Sequence, residues 1–423
     1  MKKTFLTPII LFLSVSCAFA QFSMDAEFRA RSEYRDGSRI LLDDTMTPSF
    51  VSSQRTRLVS TYIDDGFEFK FTIQNARIWG QDDERGNVPN LNLAEGYLKY
   101  NISDAFSVKV GRQHLVLDDG RIFGLRNWND IAVSHDLAKV TYQNKGFTIQ
   151  TGGAYNNQKN IYQEADYTLS YYKYLVFFHA NKKFDNGLSV SLLHSTDANQ
   201  DPNDINRHFE RQTTGAYLQF KNSGPFSLQA SAYYQYGTHT SGLDQQANLF
   251  SVIPAYKVND KVKLFAGMNH LSGNDQTEVN PTVNRSFNKL FGDGHRYYGL
   301  MDYFLNVESN TQGAGVNEMM AGIYYTFKPG TELEVSYHGF NVAGALVDPN
   351  ETALTTANGK YGDEIDLQLK HKINKYLSIR FAYATMFATP TMEIIKGGDS
   401  NRYQQWALVM LSAKPNLFKF DKK

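Results

Sequence analysis

Residues 111–128, with the sequence GRQHLVLDDGRIFGLRNW, combine a strand-like run of apolar residues with six ionisable side chains. A planar guanidinium binds a carboxylate through two hydrogen bonds and stays charged at any relevant pH, so this stretch could recognise anions. Asp118, Asp119 and Glu95 could instead meet in space and supply paired carboxylates for glycan cleavage, but nothing in the sequence fixes the separation of Asp118 and Asp119. We interpret them as partners that hold Arg121 and Arg126. Because neither a G-x-S-x-G elbow nor a compact Ser/His/Asp cluster is visible, we expect no enzymatic activity.

Other basic side chains lie on segments that antiparallel order would place beside this stretch. They would form a cationic stripe on one wall, made of Arg29, Arg31, Arg55, Arg57, Lys70, Arg77, Lys109 and Arg112. Rings of charged side chains select anions in pores, which makes the stripe a candidate path for an anionic solute. The predicted path also includes Gln113, Asp118, Asp119, Arg121 and Arg126.

The same arginines have acidic neighbours, which leaves a purely structural interpretation open. Cross-strand ion pairs would brace the wall and leave little positive field, the candidate partners being Asp25, Glu27, Glu33, Glu68, Asp118 and Asp119. If these segments are strands of a membrane barrel, an Arg that faces lipid near the bilayer midplane would cost about 2–4 kcal/mol. We therefore expect Arg112 and Arg121 to point into an aqueous lumen or to lie at its rim.

The elements that must position these charges have the pattern of long β-strands with one apolar and one polar face. In residues 22–34, FSMDAEFRARSEY, the even positions are mostly apolar and the odd positions mostly charged, and residues 66–74, GFEFKFTIQ, alternate in the same way. Strands of about 9–11 residues or more with this period suit a membrane β-barrel, whose outer face meets lipid and whose inner face meets water. A soluble antiparallel sheet with one wet face is the alternative.

Tight polar or Gly-containing connections occur at eight places between these strands. They are residues 64–66, 101–105, 144–146, 184–187, 222–225, 259–261, 328–330 and 374–376. With a first strand near 22–35 and a last near 402–413, they predict an all-β transmembrane antiparallel barrel of about 18 strands. In such barrels the short turns are periplasmic and the long loops are extracellular.

The longer connections alternate with the short ones along the chain. They are residues 37–49, 81–90, 119–132, 157–167, 198–210, 240–245, 272–315, 344–361 and 390–401. Residues 296–305 could form a further strand, but bacterial single-chain barrels have an even number, so we place this segment inside the longest loop. A barrel of this size is too wide for side chains to fill, which predicts an aqueous channel unless a loop plugs it.

The N-terminal residues have the pattern of a secretory signal. Lys2 and Lys3 precede an apolar run and small residues end at position 20, so we predict a signal peptide over 1–20 and a barrel domain over 21–423. A lipoprotein signal with Cys17 lipidated is the alternative. With 43 basic and 43 acidic residues, no global charge recruits nucleic acid. Beyond the signal no stretch approaches 18 apolar residues, which excludes helical membrane spans.

Several segments together resemble the alginate export family of outer-membrane barrels. They are QNARIWG (74–80), LAEGYLKY (93–100), KVGRQHLVLDDGRIFGLRNW (109–128), SHDLAKVTY (134–142) and GDGHRYYGLMDYF (292–304). The resemblance implies an 18-stranded barrel and an arginine-rich lumen that selects an anionic uronate polysaccharide. The family pattern falls on Arg112, Gln113, Asp119, Arg121, Trp128, His135 and Asp136. The chain departs from it at the C-terminus, where Phe420 is followed by three polar residues.

These observations predict a passive channel in the outer membrane of a Gram-negative bacterium. Its solute would be an anionic polysaccharide or oligosaccharide of the uronate type, and the 272–315 loop would gate the mouth. A general porin for small solutes and a barrel-anchored surface glycan-binding protein are the alternatives. The expected partners are outer-membrane lipid, the solute and periplasmic proteins, and we expect no nucleic acid, no cofactor and no metal. Residues 197–206 space oxygen ligands like a calcium loop, but Pro202 replaces the turning Gly.

Overall fold

The computed structural model describes residues 21–82, 91–167, 171–349 and 359–420. The predicted signal peptide (1–20) and parts of two predicted long connections (83–90 and 350–358) lie outside these residues. The described residues form twenty strands and two short helices, α1 and α2. In chain order they are β1 (Gln21–Asp36), β2 (Ser49–Asp64), β3 (Phe67–Ile78), β4 (Leu91–Asn101), β5 (Phe106–Gln113), β6 (His135–Asn144), β7 (Phe147–Tyr155), β8 (Tyr174–Lys183), β9 (Leu188–Asp201), β10 (Asp204–Lys221), β11 (Phe226–Thr238), β12 (Asp244–Lys257), β13 (Val262–Leu271), β14 (Val283–Asn284), α1 (Val307–Asn310), β15 (Val316–Lys328), β16 (Thr331–Asn341), β17 (Lys360–Lys372), β18 (Leu377–Ala388), α2 (Pro390–Lys396), β19 (Gln404–Ala413) and β20 (Asn416–Phe420).

Eighteen strand positions of the described chain close into an antiparallel barrel. β1 closes the circle by pairing with β2 on one side and with β19 on the other. β20 extends the position of β19, because it pairs with the first residues of β1. β14 has two residues and pairs in parallel with β12 inside the longest loop, so it is not a barrel strand. The predicted all-β barrel of about 18 strands is confirmed.

Alternation along the strands separates an outer apolar face from an inner polar face. In β3, Phe67 and Phe69 expose 44% and 48% of their surface on the outside. Lys70 lies on the inner face, where it pairs with Glu95 of β4 at 2.7 Å. Backbone groups cannot find water in a bilayer, and a closed antiparallel barrel satisfies them all between strands. Neither of the two described helices has the length and hydrophobicity of a membrane-spanning helix.

All eight predicted short connections join consecutive strands. In one of them Lys145 and Gly146 both have positive φ, 42° and 73°, the sign that a two-residue type I′ hairpin turn requires. The predicted long connection at 198–210 is wrong. β9 continues to Asp201 and β10 begins at Asp204, and Asp201 accepts the amide hydrogen of Asn203 at 2.9 Å in a tight turn. Polar residues had suggested a loop, but a hairpin that extends into water can be polar on both faces.

Two long connections fold into the barrel and pack against each other. They are residues 114–134, here called the inner loop, and residues 272–315, here called the long loop. Residues 296–305 form no barrel strand, as predicted. The apolar core lies between these loops and the wall, where Phe123, Phe287 and Phe304 have no exposed surface. The fold is therefore a barrel whose lumen is narrowed by its own loops.

Candidate functional site

The inner loop crosses the lumen and is attached to three parts of the wall. Asp118 accepts hydrogen bonds from His179 of β8 at 2.8 Å, from Ser191 of β9 and from Tyr233 of β11 at 3.3 Å. Its φ of 55° lies in the left-handed region, where the chain turns sharply toward this wall. Strands β8, β9 and β11 therefore hold the first anchor of the inner loop.

Arg121 makes the second attachment and is 2% exposed. Its guanidinium pairs with Asp119 at 3.1 Å and donates to Ser251 of β12 at 2.8 Å and to Asn269 of β13 at 2.7 Å. A buried charge is stable only when it is paired and hydrogen-bonded, and both conditions hold here. The structure thus pairs Asp119 with Arg121, as the sequence suggested.

Three arginines of the opposite wall make the third attachment, and we call Arg29, Arg31 and Arg55 the arginine clamp. Arg29 and Arg31 donate to backbone carbonyls of residues 127–129 at 2.6–2.8 Å. They also pair with Asp130 at 2.9 and 3.3 Å. Arg55 donates to a carbonyl of the same range at 3.2 Å. The clamp therefore fixes the last part of the inner loop against β1 and β2.

The long loop packs against the inner loop. Trp128 stacks on His295 with ring centroids 3.5 Å apart. The backbone amide of Arg126 donates to Asp293 at 2.5 Å, and its guanidinium donates to the carbonyl of Gly292 at 2.9 Å. These contacts join the two loops into one constriction.

A row of polar residues on β13, β15, β16 and β17 holds the long loop to the wall. Asn269 donates to Glu318 of β15 at 2.5 Å, and Glu318 bonds to His338 of β16 at 2.6 Å. On β17, Glu364 and Asp366 then accept the backbone amides of Met301 and Leu300, at 2.8 and 3.1 Å respectively. Because Asn269 also binds Arg121, this row connects the anchors of both loops.

A cavity of about 1490 Å³ runs past the constriction. At one end it is lined by residues beside the long connections, such as Asn199, His239 and Asn306, and at the other by residues beside the short turns, such as Lys221 and Lys372. Among the described residues that line it, twelve are Lys or Arg and six are Asp or Glu. A chain that is neutral as a whole therefore has a locally basic lumen.

The structure separates the predicted path residues into several groups. Arg29, Arg31, Arg55, Arg57, Lys70 and Lys109 lie on the inner face of their strands. Of the predicted residues, Arg29, Arg55 and Arg126 line the cavity. Gln113 is buried and donates to the carbonyls of Gly111 and Leu137, at 3.2 and 3.0 Å.

Ion pairs occupy much of the predicted stripe. Arg55 pairs with Glu27, and Arg31 pairs with Glu33 at 2.8 Å. Lys109 lies 3.9 Å from the centroid of the Tyr97 ring. The bracing interpretation therefore describes the contacts that most stripe residues make.

Two predicted lumen residues lie on the outer face instead. Arg112 has the same strand parity as the outward Val110, which is 53% exposed, and it pairs with Asp136 at 2.8 Å. Arg77 is at an outward position of β3 and pairs with Asp82. Both lie close to the ends of their strands on the side of the long connections, where a lipid-side charge costs far less than at the midplane. The prediction that they form part of a lumen stripe is corrected.

One predicted pairing is also corrected. Asp118 does not hold Arg126, because its carboxylate faces His179 and Ser191 on the far wall. Arg126 binds the long loop, at Asp293 and at the carbonyl of Gly292. The cause is the sharp turn at Asp118, which directs the two side chains to different elements.

Sequence reasoning missed most of the basic residues that line the cavity. They are Arg211, Lys221, Lys263, Lys289, Arg296, Lys370, Lys372, Arg380 and Lys414. Lys370, Lys372 and Arg380 occupy inward positions of strands with clear alternation, which was a usable signal. Lys289 and Arg296 belong to the long loop, whose path across the lumen depends on contacts distant in sequence.

Comparison with solved structures shows the same fold at low sequence identity. The barrel is similar to OpdO from Pseudomonas aeruginosa, with a TM-score of 0.62 and 13% identity over 94% of this chain and 98% of that chain. OccAB4 from Acinetobacter baumannii gives 0.61 and 12% over 95% and 98%. A BenF-like porin from Pseudomonas fluorescens Pf-5 gives 0.58 and 14% over 94% and 99%. No curated protein matches the sequence.

The family model described as Alginate export matches residues 20–404. That match spans nearly the whole barrel, including both loops that form the constriction. Family and fold together indicate a channel rather than an enzyme. The chain therefore belongs to the alginate export family and forms an outer-membrane channel of a Gram-negative bacterium.

Proposed function

We propose that this channel conducts anionic solutes passively and that its solute is a uronate-type polysaccharide or its oligomers. The observation that carries the proposal is the excess of twelve basic over six acidic side chains in the described cavity lining. Low-dielectric walls focus the field of such charges on the solution between them, which raises the local concentration of anions. Family membership adds support, because its model is described as Alginate export.

The arrangement of charges suits weak, repeated binding. Lys370 pairs with Glu334 at 3.3 Å on the lumen wall, and Arg380 lies on the neighbouring strand with its guanidinium 5.9 Å from the Trp128 ring. A carboxylate of the solute can replace Glu334 as the partner of the Lys370 ammonium. Glu334 pairs with Lys370 again when the solute moves on. Conduction requires binding strong enough to enter and weak enough to leave.

The lining of the cavity suits a sugar chain. Aromatic rings of Tyr297 and Tyr324 line the cavity beside the cations. The C–H groups of a sugar ring form a partly apolar face, so such aromatic surfaces can contact it while the guanidinium groups bind the carboxylates. Export of a polymer would further need periplasmic partners at the side of the short turns, whereas uptake of oligomers would use the same lumen.

The experiment that tests the proposal is the reversal potential of purified protein in a planar bilayer under a salt gradient, with and without added polyuronate. We expect anion preference and a current that the polymer blocks. An unselective conductance that the polymer leaves unchanged would contradict the proposal and favour a general porin. Binding of polymer to the outside without block would favour a surface glycan-binding protein.

We also propose that the channel has no catalytic activity toward its solute. Incubation of the purified barrel with alginate and other glycans should produce no new reducing ends. Their appearance would contradict this proposal and would direct attention to the carboxylates of the constriction.

A further inference from the structure

Lys289 lies at the constriction formed by the two loops and differs from the other buried cations described there. It belongs to the long loop, is 6% exposed and lines the cavity. Gly294 leaves room for its ammonium, since a Cβ at that position would lie 2.5 Å from the Lys289 Nζ atom. The side chain is therefore held at the constriction with its charged end next to backbone.

No carboxylate of the described residues lies within 4.0 Å of the Lys289 Nζ atom, and no described group forms a hydrogen bond with it. The two nearest acids are engaged elsewhere. Asp293 accepts the backbone amide of Arg126 at 2.5 Å. Asp302 pairs with His295 at 2.7 Å and with Arg39 at 3.3 Å. Buried ammonium groups are normally paired, whereas Lys289 lines the cavity without an ion-pair partner among the described residues.

A second cation stands close to Lys289. Arg126 of the inner loop faces it, and its guanidinium is fixed by the carbonyls of Gly292 and Leu290. The charged groups that act on Lys289 are thus Arg126 from the inner loop and Asp293 and Asp302 from the long loop. An anion entering the cavity beside Lys289 would be attracted by both cations.

We propose that Lys289 is the binding site for one carboxylate of the permeating solute, with Arg126 supplying additional positive field. This inference rests on the proposed function for the identity of the solute, but the site itself requires only an anion. The solute carboxylate accepts a hydrogen bond from the ammonium and supplies the missing negative charge. No covalent step is involved, and the solute leaves when it exchanges to the next cation along the lumen.

The site responds to pH because of its burial. The pKa of Lys289 is lowered to about 7, chiefly by burial and also by the neighbouring Arg126, while Asp302 and Asp293 act in the opposite direction. The ammonium is charged below this pKa and neutral above it, so anion binding is strong on the acid side and weakens as the pH rises. A bound carboxylate favours the charged form and moves the transition upward.

The test measures block of single-channel current by an oligouronate at about pH 6 and about pH 9, with a neutral glucan oligomer of equal length as the comparison probe. For the natural chain we expect the affinity for the oligouronate to fall about tenfold between the two pH values. Lys289→Met should bind at pH 6 as weakly as the natural chain does at pH 9. Lys289→Arg should bind strongly at both values, because a guanidinium stays charged.

The matched control is Lys372→Met, which removes an exposed cavity-lining lysine beside the short turns and should leave the pH dependence intact. Loss of pH dependence only in the Lys289 variants supports the site. A natural chain without pH dependence, or a Lys289→Met variant that keeps it, overturns the proposal. If the natural chain is not blocked by oligouronate at all, the proposed solute fails, and the reversal potential in chloride at the two pH values still tests Lys289 by the same criteria.

Discussion

The guanidinium of Arg121 lies 3.9 Å from the centroid of the Tyr297 ring, and this contact joins the two loops that narrow the barrel. Arg121 belongs to the inner loop and Tyr297 to the long loop. The hydroxyl of Tyr297 also donates to the carbonyl of Asp119 at 2.6 Å. A cation over an aromatic face is worth about 2 kcal/mol when water is excluded, so the pair couples the positions of both loops.

Replacement of Arg121 by Met should loosen the constriction without preventing assembly of the barrel. The change leaves Asp119 as a buried unpaired carboxylate and removes hydrogen bonds to Ser251 and Asn269. Breaking such a pair costs about 3–5 kcal/mol. This cost destabilises the position of the inner loop and not the barrel, because the hydrogen bonds between the strands are unaffected. We expect a larger and noisier single-channel conductance, measured beside the heat-modifiable folded band on gels.

The matched control for that experiment is Arg207→Met. Arg207 is a largely exposed arginine whose distance to Asp201 is 3.6 Å, and exposed pairs contribute little. Its conductance should equal that of the natural chain. An Arg121→Met channel with unchanged conductance would show that the inner loop does not depend on this anchor.

Position on the inner or outer face should decide which arginines affect selectivity. Arg380→Met removes an inward guanidinium from the cavity lining and should shift the reversal potential toward cations. Arg112→Met removes an outward guanidinium and should leave the reversal potential unchanged, because the barrel wall separates it from the permeating ions. Planar-bilayer recordings in a salt gradient measure both. A large shift from Arg112→Met would contradict its placement on the outer face.

The barrel itself could be predicted from the sequence because its signals are local. The signals are the alternation in residues 22–34 and 66–74 and the eight tight connections. Each depends on neighbouring residues and agrees with the strands observed.

The wrong placement of Arg112 in the lumen was avoidable. Lys109 and Arg112 are three residues apart, and a strand with a period of two places such residues on opposite faces. The same rule separates Lys70 from Arg77.

The constriction could be predicted only in part. The importance of residues 111–128 was visible in their charges. Their anchors at His179, Ser251 and Asn269, however, lie on strands that are distant in the sequence. Lys289 gave no signal at all, because an unpaired lysine is recognised only when its surroundings are known. Contacts between distant segments are set by packing of the whole chain, and local patterns do not contain them.

Deletion of residues 276–290 should raise the open-channel conductance. The segment contains Phe287, which is fully buried in the lumen core, and Asn288, which donates to Glu308. Its removal opens the cavity on the side of the long connections while the ends of β13 and β15 stay paired. Deletion of residues 158–162 from another long connection, where Tyr162 is 98% exposed, is the control and should change nothing. Equal conductance for both deletions would exclude a narrowing role for the long loop.

Acid should release the long loop through Glu308. Its carboxylate accepts from His239 at 3.0 Å and from Asn288. Burial raises its pKa, but the hydrogen bond from His239 and the field of Arg211 outweigh that effect and lower the pKa overall.

A carboxyl whose pKa is lower in the folded state stabilises that state above its unfolded pKa, and the contribution is lost as the pH falls through the folded pKa. We therefore expect conductance to become larger or unstable as the pH falls below the ordinary Glu pKa of about 4.3 toward the lower folded pKa of Glu308. Glu308→Gln should show the same behaviour at neutral pH, whereas Glu278→Gln, at a half-exposed pair with Arg285, should not. If Glu308→Gln behaves like the natural chain at neutral pH and still changes in acid, another carboxyl holds the loop.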